Sequence, residues 1–233
     1  MLYPLSTLAL APVLIGQGRH VRRVTPRLPE PEGERQGVAG KGPELRLLIL
    51  GDSAAAGVGV SNQQDALVGQ LVRNLASDHR VIWSVLAETG RKAVDVLEAV
   101  KASAEDRYDV VLVSVGVNDV TGRTSTQQWL SALNELSDCL LHDLGATRVL
   151  FTAIPPMHLF PSLPQPLRWY LGMRARQLNG LMESICSRRS NLEYLCVSFP
   201  FEPGFMASDG FHPGLDAYRL WAEHSATSIR KLA

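Results

Sequence analysis

Only three cysteines occur in the 233 residues, Cys139, Cys186 and Cys196, and no two stand in a C-x-x-C pair. An odd number without that spacing argues against a disulfide framework and offers no thiolate cage for a metal. The pattern around them puts Cys139 and Cys186 in helices and Cys196 in a strand. All three are therefore expected to be small buried side chains in a reducing compartment, the cytoplasm. The six histidines are scattered, with no H-E-x-x-H and no His/Cys cluster, so no metal is expected. Neither sign of charge is in excess: Lys plus Arg and Asp plus Glu each number 23. A chain so balanced shows no basic footprint for tracking phosphates, and no nucleic-acid partner is expected. Phosphate-binding loops are missing as well. Gly51–Val60 lacks the Gly-Lys-Ser ending of a P-loop, and no G-x-G-x-x-G follows a strand pattern. No apolar run reaches the roughly 20 residues that a membrane-spanning helix needs. Leu2–Ile15 is the nearest, but Pro4 and Pro12 interrupt it. No basic residue precedes it, as a secretory signal would require, whereas Arg19, Arg22, Arg23 and Arg27 follow it. Two readings of this segment stand: an element packed on the domain, which we prefer, or a segment lying weakly on an anionic membrane surface.

What the chain does contain is a core and a rhythm. Hydrophobic residues make up 45% of it and charged residues 20%, enough to bury one sizeable domain. From Pro26 to Pro43 the sequence is rich in Pro, Gly and charge and reads as an exposed connector. The division is thus 1–43 as N-terminal segment and connector, and 44–233 as the main domain. Within the latter, short apolar runs at Leu45–Leu50, Val81–Leu86, Val110–Val115 and Arg148–Ile154, with a weaker one at Leu192–Val197, predict buried strands. Between them, Asp65–Leu75, Ala93–Val100 and Trp129–Leu144 carry apolar residues at helical spacing. Alternating strands and helices imply parallel pairing with right-handed crossovers. The expectation is an α/β fold: a three-layer, flavodoxin-like α/β/α sandwich around a five-stranded parallel sheet. Ligands of such sheets bind beyond the strand C-termini.

Four short blocks fall at such C-terminal ends or in the last loop: Gly51-Asp52-Ser53, Thr89-Gly90-Arg91, Gly116-Val117-Asn118-Asp119 and Asp209-Gly210-Phe211-His212. Ser53, followed by small residues, presents its hydroxyl at a strand exit where an acyl group can approach. His212 is the candidate base, and Asp209, three residues earlier, can orient its ring within one tight turn. An oxyanion needs donors already in place. The Ser53 N–H, the N–H of the side-chain-free Gly90 and the side-chain amide of Asn118 are the candidates. Each block alone also reads as a plain turn or helix cap. The segment from Pro155-Pro156-Met157-His158 through Leu171 reads either as a wall for an acyl or aryl pocket or as a loop packed on the core. His158 lacks a placed acid and reads as a structural or pocket-lining residue.

In this order the four blocks resemble the SGNH hydrolase superfamily, the GDSL esterases and lipases, from about Leu45 to the last helix. The resemblance implies Ser53 as nucleophile, Asp209 and His212 as its partners, and Ser53, Gly90 and Asn118 as the oxyanion hole. It implies neither metal nor organic cofactor. One departure is Ala54, where the family commonly has leucine; the expected effect is a reshaped pocket. The implied activity is hydrolysis of small-molecule carboxylic esters through an acyl-enzyme. Thioesters, lysophospholipids and O-acetylated sugars are alternative substrates of the same apparatus. A reading of a different class is a non-catalytic small-molecule-binding domain.

Overall fold

The computed structural model describes residues 2–103, 107–198, 200, 202 and 204–231, with side chains from residue 10 onward. It opens with helix α1 (Leu2–Val24), followed by the short strand β1 (Gln36–Ala39) and then β2 (Glu44–Gly51). A four-residue helix α2 (Ser53–Ala56), α3 (Leu67–Leu75) and β3 (Arg80–Ala87) come next, then α4 (Ala93–Ala102) and β4 (Val110–Ser114). The second half holds α5 (Val117–Thr121), α6 (Thr126–Asp138), β5 (Arg148–Thr152), α7 (Leu167–Cys186), β6 (Leu192–Leu195) and α8 (Leu215–Arg230).

The strands form one sheet in the order β1-β3-β2-β4-β5-β6. All neighbours from β3 to β6 pair in parallel, and their order is the flavodoxin-like one. The sheet has six strands rather than the expected five. The sixth, β1, comes from residues that read as connector and runs antiparallel along β3, from Gln36 opposite Ser84 to Ala39 opposite Val81. Its Gln-Gly-Val-Ala sequence carries no strand signal of its own; the open backbone edge of β3 supplies the pairing.

Why the central strands are continuous apolar runs is visible in β2. Side chains alternate across a strand, and both faces of this sheet are covered. Leu48 and Leu50 join the core under α4, α6 and α7, whereas Leu45, Leu47 and Ile49 join the core under α3 and α8. The first core is anchored by the fully buried Trp129, whose Nε1 donates to the Leu178 carbonyl at 3.1 Å. The second contains Tyr218 stacked on Trp221, with centroids 6.2 Å apart. The predicted helix over Trp129–Leu144 begins at Thr126, behind a Ser125/Gln128 capping box, and passes at Cys139–Asp143 into a single wider π-helical turn.

Cys139 and Cys186 are buried and free, as expected. Cys196 is also free but exposed, because β6 stops at Leu195, one residue before it.

Candidate active site

Four strand exits and one loop build the site. β2, in the middle of the sheet, ends at Gly51 and delivers Ser53 as the first residue of α2. The buried Asp52 caps that short helix, its Oδ1 accepting from the Ala54 N–H at 3.2 Å. As the first helical residue, Ser53 has an N–H with no carbonyl one turn back to take it. The strands flanking β2 are β3 and β4, so the segments that follow them, with Gly90 and Asn118, lie on either side of Ser53's strand.

The histidine arrives from the loop before α8. Met206 bridges Pro213 across that loop, and the Ala207 N–H donates to the His212 carbonyl at 2.9 Å. Inside this turn Asp209 Oδ1 accepts from the N–H groups of Phe211 (2.9 Å) and His212 (3.0 Å). Its other oxygen, Oδ2, lies 2.6 Å from His212 Nδ1, and His212 Nε2 lies 2.9 Å from Ser53 Oγ. A carboxylate can only accept, so Nδ1 carries the proton and Nε2 is free to accept from the serine hydroxyl. The structure thus joins Ser53, His212 and Asp209, which are 159 and 3 residues apart in sequence, in one hydrogen-bonded chain.

Two close approaches hold the loops in register. Tyr218 of α8 donates its hydroxyl to the Val58 carbonyl at 2.7 Å. At Gly59, φ is +117° and a β-carbon would stand 2.1 Å from the Pro213 carbonyl oxygen, so no other residue lets the serine and histidine loops meet.

The electrostatics differ between the two aspartates. Burial pushes the Asp209 carboxyl up, but the hydrogen bonds from the His212 ring and from two backbone N–H groups outweigh it and hold the group below its ordinary range. Burial of Asp52, by contrast, pushes its carboxyl up to about 7; the N–H of Ala54 and the nearby His212 offset this only in part.

Gly90 has φ +94°, and a β-carbon there would point into open space. Asn118 donates one amide hydrogen to the Arg91 carbonyl at 3.0 Å, which ties the segment after β4 to the one after β3. Its neighbour Asp119 is buried and accepts from the Ala93 N–H at 3.0 Å, fixing the start of α4.

A cavity of about 70 Å³ opens beside Ser53 and is walled by Val117, Pro155, Phe160, Phe211 and His212 among others. Phe160 meets Phe211 edge-on with centroids 5.1 Å apart. The proline-rich segment does both things its sequence allowed: Pro155 and Phe160 face the cavity, while Phe160 and Leu163 are buried in the core. His158 instead packs against Gly172 of α7, away from the relay. Among the described residues no three His, Cys, Asp or Glu side chains gather as metal ligands would.

Sequence reasoning missed two contributors. Asp52 has no role in the sequence pattern beyond its place in the Gly51-Asp52-Ser53 block, yet it lines the cavity together with His212. Glu30, from the presumed connector, accepts from both the N–H and the hydroxyl of Thr89 at 2.7 Å, next to Gly90. Arg35 pairs with Glu30 at 2.9 Å and donates to the Ala87 carbonyl at the end of β3. No local pattern signals a contact made across 59 residues.

A family model for the GDSL-like lipase/acylhydrolase family matches residues 49–220, from β2 to within α8. The GDSL-like esterase Rv1075c of Mycobacterium tuberculosis is 27% identical to this chain over 242 aligned positions, which span 94% of this chain and 76% of the relative. Among solved structures, TesA shares the fold with a TM-score of 0.65 at 21% identity, covering 81% of this chain and 99% of its own. Est24, a carbohydrate acetylesterase from Sinorhizobium meliloti, does so with a TM-score of 0.59 at 17% identity, covering 81% of this chain and 100% of its own.

Proposed function

Since the chain belongs to the GDSL-like lipase/acylhydrolase family and is a serine ester hydrolase, we propose that Ser53, His212 and Asp209 are its catalytic triad and that it acts through an acyl-enzyme on small carboxylic esters. The observation that carries this reading is the relay itself, 2.9 Å from Ser53 Oγ to Nε2 and 2.6 Å from Nδ1 to Asp209. Ser53 Oγ attacks the ester carbonyl as His212 Nε2 takes its proton. The imidazolium so formed is stabilised by Asp209, which stays ionised, and it returns the proton to the leaving alkoxide. Water activated by the same nitrogen then releases the acid and frees Ser53.

The tetrahedral oxyanion is met by the N–H groups of Ser53 and Gly90 and by the second amide hydrogen of Asn118, the one not given to Arg91. The open space off the Gly90 α-carbon supports that role, since a side chain there would compete with the substrate for it. The small, largely apolar cavity supports short acyl or aryl groups over long chains. A binding-only domain would have no use for a serine hydroxyl aligned on a histidine whose other nitrogen is held by a buried carboxylate.

Hydrolysis of a p-nitrophenyl ester series from acetate to long acyl chains tests the proposal. Ser53-dependent turnover that peaks at short chains is expected. Turnover that survives Ser53→Ala would remove the triad assignment, and a maximum at long chains would remove the assignment of a short-acyl pocket. Thioester, lysophospholipid and O-acetyl sugar substrates in the same assay rank the leaving groups.

A further inference from the structure

The first 29 residues segregate charge in a chain that is neutral as a whole. They hold four arginines and no acidic residue, and the stretch from Leu2 to Ile15 has no charge at all. The structure shows which part of α1 is occupied. Leu10, Leu14, Gln17 and Val21, spaced as one helical stripe, make the packed side: Leu14 is buried, and Leu10 and Val21 pack against the same core. Gln17 fastens α1 to the start of α7, donating to the Gln165 carbonyl at 2.6 Å and accepting from the Leu167 N–H at 3.1 Å.

The opposite stripe, Ile15, Arg19, Arg22 and Arg23, is exposed. Among the described residues none of Arg19, Arg22, Arg23 and Arg27 makes an ion pair, although eleven such pairs form elsewhere, His212–Asp209 included. Exposed apolar surface gathers on the same elements. Eight large apolar side chains are exposed among the described residues, and five of them, Val13, Ile15, Val24, Leu159 and Trp169, lie on α1, the turn before α7 or the first turn of α7. That turn belongs to the segment whose Pro155 and Phe160 wall the catalytic cavity.

We propose that α1 and the adjoining start of α7 form a docking face for an anionic lipid bilayer. The exposed Val13, Ile15 and Trp169 enter the interfacial region, and the four arginines sit on the acidic headgroups. No described helix is long and apolar enough to cross a membrane, so the attachment is parallel to the surface. Unpaired cations beside exposed apolar side chains, Trp169 among them, fit this partner, because a bilayer surface offers negative charge and an apolar layer together. Docked in this way, the wall of the active-site cavity adjoins the interface. Esters delivered from the membrane would then reach Ser53 through a short path.

The test is flotation of the full chain with vesicles of phosphatidylcholine alone and of phosphatidylcholine with about one-third phosphatidylglycerol, at low and high salt. The expected result is binding to the anionic vesicles only, lost at high salt. Arg19→Gln/Arg22→Gln/Arg23→Gln, checked for an unchanged melting temperature, should bind roughly a hundredfold more weakly, about fivefold per arginine. Absence of binding to anionic vesicles at low salt overturns the proposal. So does equal, salt-insensitive binding to both vesicle types, which needs no variant to observe. Hydrolysis of a soluble ester in the same samples keeps this outcome separate from that of the catalytic assignment.

Discussion

Asp52 and Asn118 show what a single side chain can settle at this site. Burial raises the Asp52 carboxyl from 3.8 to about 7, so between those pH values the folded protein holds a proton that the unfolded chain has released. Stability must therefore fall as pH rises from about 4 to about 7, by roughly 4 kcal/mol at most, and stay low above that. Asp52→Asn keeps an oxygen for the Ala54 N–H and has nothing to ionise. It should melt like the wild type at pH 4 and well above it at pH 8, a comparison that thermal unfolding monitored by circular dichroism makes directly. Asp209 has the opposite sign: with its group held below the ordinary range, its contribution is present at neutral pH and is lost as pH falls below about 4. For Asn118, loss of the donated hydrogen bond in Asn118→Ala should lower kcat by about 10²–10³ with little change in KM. An unchanged kcat would make Asn118 only the tie between the segments after β3 and β4. The residues of the proposed triad were legible in the sequence because each sits in a short block whose chemistry is local. Asp52 was not, because its raised pKa comes from burial, which only the folded chain creates.

At the scale of elements, the parallel strands were legible because burial on both faces leaves few polar positions, and that is a pattern within one strand. Strand ends fall within two residues of the apolar runs: at β4, β5 and β6 the run continues past the last ladder bond, as at Val197, whereas β2 and β3 extend one residue beyond theirs at each end. β1 escaped because its partner specifies it. α1 escaped as a helix because Pro12 lies in its middle, where the missing N–H and the ring both oppose helix; the packing of Leu10, Leu14 and Val21 outweighs that cost. The start of α7 was hidden among the prolines at 161, 164 and 166. Two predictions belong to this scale. Gly59→Ala forces the serine and histidine loops apart, because its β-carbon meets a backbone oxygen, and should lower both melting temperature and kcat. Glu30→Ala releases Thr89 beside Gly90 and should lower kcat more than stability, while Glu30→Gln, which keeps an acceptor, should restore part of the loss. Equal activity of wild type and Glu30→Ala would show that the turn holds its shape unaided.

For the whole molecule, the fold places its chemistry at one edge by construction. Parallel strands all end on the same side, and the serine sits on the central strand with its neighbours' loops on both flanks. The last loop, reached only after all six strands, brings His212 and Asp209 to Ser53 and closes the relay. The two buried cores on opposite faces of the sheet keep those ends fixed, which is what lets a 2.9 Å contact persist between residues 159 apart. The central claim is that Ser53 is the nucleophile. Intact-mass and peptide mass spectrometry after brief exposure to a p-nitrophenyl phosphonate tests it most directly, since the phosphonyl group stays on the attacking oxygen. One phosphonyl group per chain, on the peptide holding Ser53 and missing from Ser53→Ala, is the result predicted. No adduct, or an adduct that survives Ser53→Ala, would contradict it.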